Sequence, residues 1–170
     1  MHIFLTGEKG VGKSTAVRRT LALLGAAYGG FRTGFTSDRA RLCLWGAWGP
    51  PRLGQADTVA DMVDGRCVTR PGSFDRLGTA ALAGCPAGAR LLVMDELGAL
   101  ERDETGFQRA VLDCLDGPLA VLGVIKPQRA GTWLEALADR PDVAVVQVTE
   151  ENRDELPGRS VQRLNLWMKD

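Results

Sequence analysis

Eight consecutive residues, Gly7-Glu8-Lys9-Gly10-Val11-Gly12-Lys13-Ser14, have the types and spacing of a phosphate-binding loop, G-x-x-x-x-G-K-[ST]. Glycines there let the backbone curl until successive N–H groups point inward as an anion nest. A helix starting behind them adds its positive N-terminal end. Lys13 is placed to reach the β- and γ-phosphates of a nucleotide and Ser14 to put its hydroxyl on Mg²⁺, and the loop runs on to Thr15. With this chain's composition the pattern arises by chance about 0.005 times. An apolar run precedes it and a helical period follows it, as the chemistry requires.

Such a loop needs a second carboxylate, at the end of another strand, on the far side of the metal. Leu91-Leu92-Val93-Met94-Asp95-Glu96 offers four apolar residues ending in two acids. Asp95 is expected to hold Mg²⁺ through water, opposite Ser14. Glu96 is expected to orient and deprotonate a water attacking the γ-phosphate, because a base must be near that water and ionised enough to take its proton. The competing reading is a buried strand with solvated charges at its tip.

Fainter signals surround these two. Asp95-Glu96-Leu97-Gly98 fits the D-x-x-G of GTPases, and Asn152-Arg153-Asp154-Glu155 is near N-K-x-D, with Arg for Lys and Glu for Asp, which leaves guanine specificity poorly supported. Arg153 could neutralise γ-phosphate charge or stack on a base, or else be an exposed arginine paired with Glu150 or Asp154. Lys126 is a second candidate cation with the same two readings. Trp45, Trp48, Trp133 and Trp167 could stack a base, although tryptophans in a domain of this size mostly serve core or rim.

Composition removes other chemistries. The only histidine is His2, beside Met1, so Ser-His-Asp, Cys-His and multi-histidine metal sites are all but excluded. The cysteines, Cys43, Cys67, Cys85 and Cys114, form no C-x-x-C pair and read as buried free thiols. Lys plus Arg and Asp plus Glu are 21 each, leaving no global basic field for nucleic acid or an anionic membrane. The balance conceals an asymmetry: residues 1–90 carry 12 basic and 6 acidic side chains, residues 91–170 carry 9 and 15. The basic half contains the phosphate loop and the acidic half Asp95 and Glu96, as a Mg²⁺-triphosphate site needs. No apolar run nears 18 residues, and the segment before Gly7 is too short for a signal peptide, which points to the cytoplasm.

The elements that must position these residues alternate. Residues 2–6 read as a strand, 13–24 as a helix, 31–36 as a strand, and 41–48 with 66–69 as a hairpin-like excursion around residues 46–54. Ser73 is expected to cap a helix ending near Gly84, and residues 91–94 to form a strand buried on both faces. A helix over 104–115, a strand over 119–125, a Thr132–Glu135 capping box opening a helix to Asp139, a strand over 143–148 and a helix capped by Thr149 complete the order. At 170 residues one core is enough, so a single α/β domain is expected, a mainly parallel central sheet with helices on both faces.

With both motifs in place, the chain resembles the P-loop nucleoside-triphosphatases grouped with the cancer-related nucleoside-triphosphatase. Gly30-Phe31-Arg32-Thr33 is similar to that family's G-F-x-T strand, and Phe74-Asp75-Arg76 with Leu82 to its middle helix. Asp95-Glu96-Leu97-Gly98-Ala99-Leu100-Glu101 is similar to D-E-[IL]-G-x-[ML]-E, and Asn152-Arg153-Asp154-Glu155-Leu156-Pro157 to its N-R-D-x-L-P ending. The chain departs after Thr33, where the family continues with an acid and an arginine and this chain has Gly34-Phe35-Thr36-Ser37. It departs again at Lys126, where the family often has histidine. The resemblance implies a three-layer P-loop NTPase fold and slow hydrolysis of several nucleoside triphosphates, ATP, GTP, CTP and UTP, and of some diphosphates, with little base preference. Lys13, Glu96 and Arg153 would be catalytic, residues 7–15 would bind nucleotide, and Ser14 with Asp95 would hold Mg²⁺. Two rivals stay open: a small-molecule kinase whose acceptor site is shaped by an acidic residue in the 45–70 excursion, and a nucleotide-dependent binding module with negligible turnover.

Overall fold

A computed structural model describes residues 1–127 and 129–168. Strands β1 (His2–Thr6), β6 (Leu91–Leu97) and β7 (Ala120–Ile125) are the apolar runs of the sequence and lie side by side. With β2 (Tyr28–Phe35) and β8 (Val143–Gln147) they make a parallel array in the order β2-β6-β7-β1-β8. Parallel strands need crossovers, and α1 (Lys13–Leu24), α2 (Ser73–Ala83), α3 (Thr105–Leu115), α4 (Trp133–Ala138) and α5 (Leu156–Trp167) alternate with them.

Successive side chains of a strand face opposite ways, and the core divides accordingly. Ile3, Leu5, Leu91, Val93, Leu122 and Val124 pack with Val17 and Leu21 of α1 and Leu164 of α5. Phe4, Leu92, Met94 and Val121 pack on the other face with Phe74 of α2 and with Phe107 and Val111 of α3. The Phe107 ring meets Phe31 edge-on at 5.3 Å and Phe74 at 5.5 Å, tying β2, α2 and α3 together. The expected α/β architecture, helix layers on both faces of a mainly parallel sheet, is the observed one.

The excursion differs from expectation. Residues 41–48 and 66–69 do not pair. Strand β3 (Arg41–Gly46) forms a hairpin with β2, and β4 (Thr58–Val63) lies between β3 and β5 (Arg66–Thr69). The result is an antiparallel meander extending the sheet to eight strands. Its register shifts between Leu42 and Cys43. Side-chain pairing across β3 and β5, rather than the modest strand preference of Ala60 and Asp61, makes residues 58–63 a strand.

Three caps also differ. Ser73 is the first residue of α2, preceded by Gly72 in the left-handed region, and its hydroxyl donates to Val59 O at 2.9 Å. Buried Glu104 caps that helix instead, accepting from the N–H groups of Gly72 (2.7 Å) and Asp75 (3.0 Å). At α4 the Glu135 carboxylate accepts from Gly131 N rather than Thr132 N, and the Thr132 hydroxyl donates to Arg129 O, so no capping box closes. Thr149 and Asn152 do bond reciprocally, but they hold the turn that leads into α5, which begins at Leu156. The four thiols are free as expected, yet only Cys43 is buried and the other three are half-buried. No helix is long and apolar enough to cross a membrane among the described residues.

Candidate functional site

The predicted loop residues and acids converge at the carboxyl ends of β1 and β6, where ligands of open α/β sheets bind, and Arg153 lies against the loop at Gly12. Residues 7–12 connect β1 to α1, and their curl requires glycine at its first position. Gly7 sits at φ +144°, and a Cβ there would come within 2.7 Å of Val148 O. Gly12, at φ +110°, ends the curl as the residue before α1. Lys13 donates to the loop carbonyls of Gly7 (2.7 Å) and Glu8 (2.8 Å), which holds its ammonium at the mouth of the nest.

Strand β6 brings the acids to the loop. Ser14 Oγ donates to Asp95 Oδ1 at 3.1 Å, across 81 residues of sequence. Asp95 is only 7% exposed, and burial pushes its carboxyl up to about 6 against the pull of the Ser14 hydroxyl bond. A hard anionic oxygen buried beside a hydroxyl is the donor set that a small divalent cation satisfies, and without a cation its burial is costly. Ser14 and Asp95 therefore fit Mg²⁺.

Glu96 faces the same cleft and is held from two sides. The Thr33 hydroxyl of β2 donates to Asp95 O (3.3 Å) and accepts from Glu96 N (3.4 Å), while Lys126 Nζ lies 3.5 Å from Glu96 Oε1. Behind it sits Glu101, 2% exposed, its carboxyl raised to about 7 chiefly by burial although Gly98 N–H donates to it at 2.9 Å.

The loop, Glu96 and Lys126 enclose a cleft of about 680 Å³, large enough for a nucleotide. Its far wall was not legible in the sequence. Phe35, Arg39, Met62, Gly65 and Cys67, from the end of β2 and the meander, face the phosphate loop, with the Arg39 guanidinium 4.9 Å from the Phe35 ring centroid. The available signal was the Thr36-Ser37-Asp38 turn: Asp38 accepts from Thr36 Oγ1 and Ala40 N, a side-chain-held reversal that carries Arg39 back over the cleft.

Other candidates lie elsewhere. No tryptophan lines the cleft: Trp48 packs on Gly46 and Gly84, and Trp133 borders the core. Arg153 is exposed beside the loop, its Cδ 3.7 Å from where a Gly12 Cβ would stand. Asn152 is engaged in its own turn, accepting from Thr149 N (2.9 Å) and donating to Gln147 O (2.8 Å). His2 is buried at the opposite end of β1, with Nε2 3.0 Å from Leu115 O.

Comparison with known proteins agrees with this geometry. A family model described as NTPase matches residues 2–45 and 52–160. The nucleoside-triphosphatase THEP1 of Thermofilum pendens is 30% identical, covering 92% of this chain and 91% of its own length. The cancer-related nucleoside-triphosphatase of Homo sapiens is 31% identical, covering 91% and 92%. The solution structure of a human cancer-related nucleoside triphosphatase superposes with a TM-score of 0.78 at 26% identity, covering 97% of each chain. The crystal structure of THEP1 from Aquifex aeolicus shares the fold, with a TM-score of 0.79 at 22% identity over 96% of this chain and 99% of that one. Phosphate loop, acidic strand end and whole-length similarity coincide: the chain belongs to the NTPase family of the THEP1 and cancer-related nucleoside-triphosphatases.

Proposed function

We propose that this protein hydrolyses nucleoside triphosphates to the diphosphate and inorganic phosphate, with Mg²⁺ and little preference for the base. The observation that carries the reading is the 3.1 Å contact of Ser14 and Asp95 beside the phosphate loop, with Glu96 next on the strand and facing the same cleft. The relatives' names specify nucleoside triphosphates as a class and no single base, which supports the breadth.

In this account the loop N–H groups and the N-terminal end of α1 bind the phosphates, and Lys13 leaves the Gly7 and Glu8 carbonyls to neutralise the β- and γ-oxygens. Ser14 and Asp95 would hold Mg²⁺, which supplies charge neutralisation on the phosphates. Glu96 takes the proton of a water whose oxygen bonds to the γ-phosphorus; the bond from that phosphorus to the β–γ bridging oxygen breaks, and the diphosphate leaves with the electron pair. Most of the rate would come from positioning and charge neutralisation. Arg153, beside Gly12 of the loop, would add a further positive charge near the phosphates.

The kinase alternative expects an acidic residue of the 45–70 excursion at the acceptor site. The cleft-lining residues of that segment are Met62, Gly65 and Cys67, none of them acidic; Asp57 and Asp61 pair with Arg52 and Arg70, and Asp64, exposed in the turn beside Gly65, is the one acid of the segment left for an acceptor site. The test is phosphate release from ATP, GTP, CTP and UTP with and without Mg²⁺. Similar Mg²⁺-dependent rates for all four are expected. One strongly preferred base, or diphosphate formed without free phosphate when an alcohol is added, would refute the reading.

A further inference from the structure

We propose that Lys126 senses the γ-phosphate: its ammonium pairs with Glu96 until a triphosphate enters the cleft, then moves to the γ-phosphate oxygens and leaves Glu96 free to act as the base. The proposal rests on the reading that Glu96 activates water, and it gives the cleft a means of telling triphosphate from diphosphate.

The topology puts Lys126 where this exchange can happen. Strand β7 lies between β1, which feeds the phosphate loop, and β6, which ends in Asp95 and Glu96. The residue just past its end is therefore between loop and base. Lys126 N–H donates to Leu97 O at 3.0 Å, fixing the backbone against β6. Its methylene stem crosses Gly98 so closely that a Cβ there would stand 3.0 Å from Lys126 Cδ and 3.3 Å from Cε. Gly98 in turn is held by buried Glu101, which accepts its N–H at 2.9 Å. Glu101 and Gly98 are positioning residues in this chain of contacts, and Lys126 is the group that would touch substrate.

The pair itself is suited to exchange. Lys126 Nζ and Glu96 Oε1 are 3.5 Å apart, and the two side chains are 46% and 33% exposed. Partly solvated lysine–carboxylate pairs are weak, and a terminal phosphate offers more charge and more acceptor oxygens than one carboxylate. Lys126 and Glu96 both line the cleft that the phosphate loop opens into, and both also line a smaller cavity of about 100 Å³ behind it, so the ammonium has room on either side. Lys13 is a different cation, anchored on the Gly7 and Glu8 carbonyls and out of the Glu96 pair. By linkage, a ligand that draws the ammonium away from Glu96 must bind the exchanged state more tightly, and the γ-phosphate is the group that a triphosphate brings and a diphosphate lacks.

The test is equilibrium binding, with Mg²⁺, of a β,γ-imido nucleoside triphosphate and of the matching diphosphate to the full chain. Lys126→Ala is expected to weaken the triphosphate analogue about tenfold while shifting the diphosphate less than about twofold, and Lys126→Arg to restore most of the difference. Glu96→Gln, which removes the competitor for the ammonium, is expected to tighten the analogue, and that gain is expected to vanish when Lys126→Ala is added. Gly98→Ala displaces the lysine stem without touching its charge and is expected to reduce the triphosphate preference in smaller measure. Equal effects of Lys126→Ala on both nucleotides, no effect on either, or a Glu96→Gln gain that persists without Lys126 would each overturn the proposal. Phosphate release by the unaltered protein is read separately. Its absence would sink the hydrolytic reading while the binding cycle still reports on Lys126.

Discussion

At the carboxyl end of β6 and in the turn just after it, Asp95 and Glu101 are buried with their carboxyls pushed up to about 6 and about 7 by that burial. In the meander half of the sheet the opposite holds: half-buried Asp61 is pulled down by its bonds to Arg70, and exposed Asp38 by the Thr36 hydroxyl and the Ala40 N–H. That strand end keeps acids where they oppose folding, and the meander keeps acids where they assist it; at the far end of the parallel half Asp142 is likewise pulled down, to about 2, by Arg140. Groups that cost stability in a fold persist where a ligand needs them, so the contrast marks the loop-facing end of the parallel half as the chemical one and the meander as the wall that closes it.

The largest expected effect lies in the parallel half. Lys13→Ala removes the cation that the loop carbonyls present to the phosphates, and phosphate release should fall about a hundredfold or more. Release assays on a variant with unchanged thermal unfolding check this, and a loss below tenfold would break the assignment of that half.

Next is a pH effect at Glu101. A carboxyl whose folded pKa of about 7 lies above its unfolded value of 4.5 favours folding most below pH 4.5, and that contribution is lost as pH rises through 7. Glu101→Gln should therefore gain on the unaltered protein between pH 4.5 and 7, by an amount of order a few kcal/mol in denaturant unfolding. A constant stability difference across that range would show that the buried acid is not strained.

The smallest effect belongs to the meander. Arg70→Ala breaks a two-point pair with Asp61, at 2.6 and 2.7 Å, on the side of the sheet away from the phosphate loop. Thermal unfolding should shift slightly downward and phosphate release should not change. A large loss of release would mean that the meander takes part in catalysis rather than framing it.

The same division governs what was legible in the sequence. Strands buried on both faces must be apolar throughout, so residues 91–94 and 120–125 announced themselves, and turns that bind phosphate must be glycine-rich, so residues 7–14 did too. Strand β4 did not: Thr58-Val59-Ala60-Asp61-Met62-Val63 is buried over its first three residues and increasingly exposed beyond them, with an indifferent residue set, and its neighbours in space decide its state. Phe35 and Arg39 were equally hidden, because their place on the cleft wall follows from the β2–β3 hairpin rather than from residue spacing. Arg153 was legible as part of a motif, and the fold sets its Cδ against the phosphate loop at Gly12.

The central claim, that Glu96 is the base of a carboxylate-driven hydrolysis, is tested most directly by Glu96→Gln. Phosphate release from ATP with Mg²⁺ should fall about a hundredfold or more while the affinity for a non-hydrolysable triphosphate is kept or improved. Undiminished release by a variant that still binds nucleotide would contradict the account.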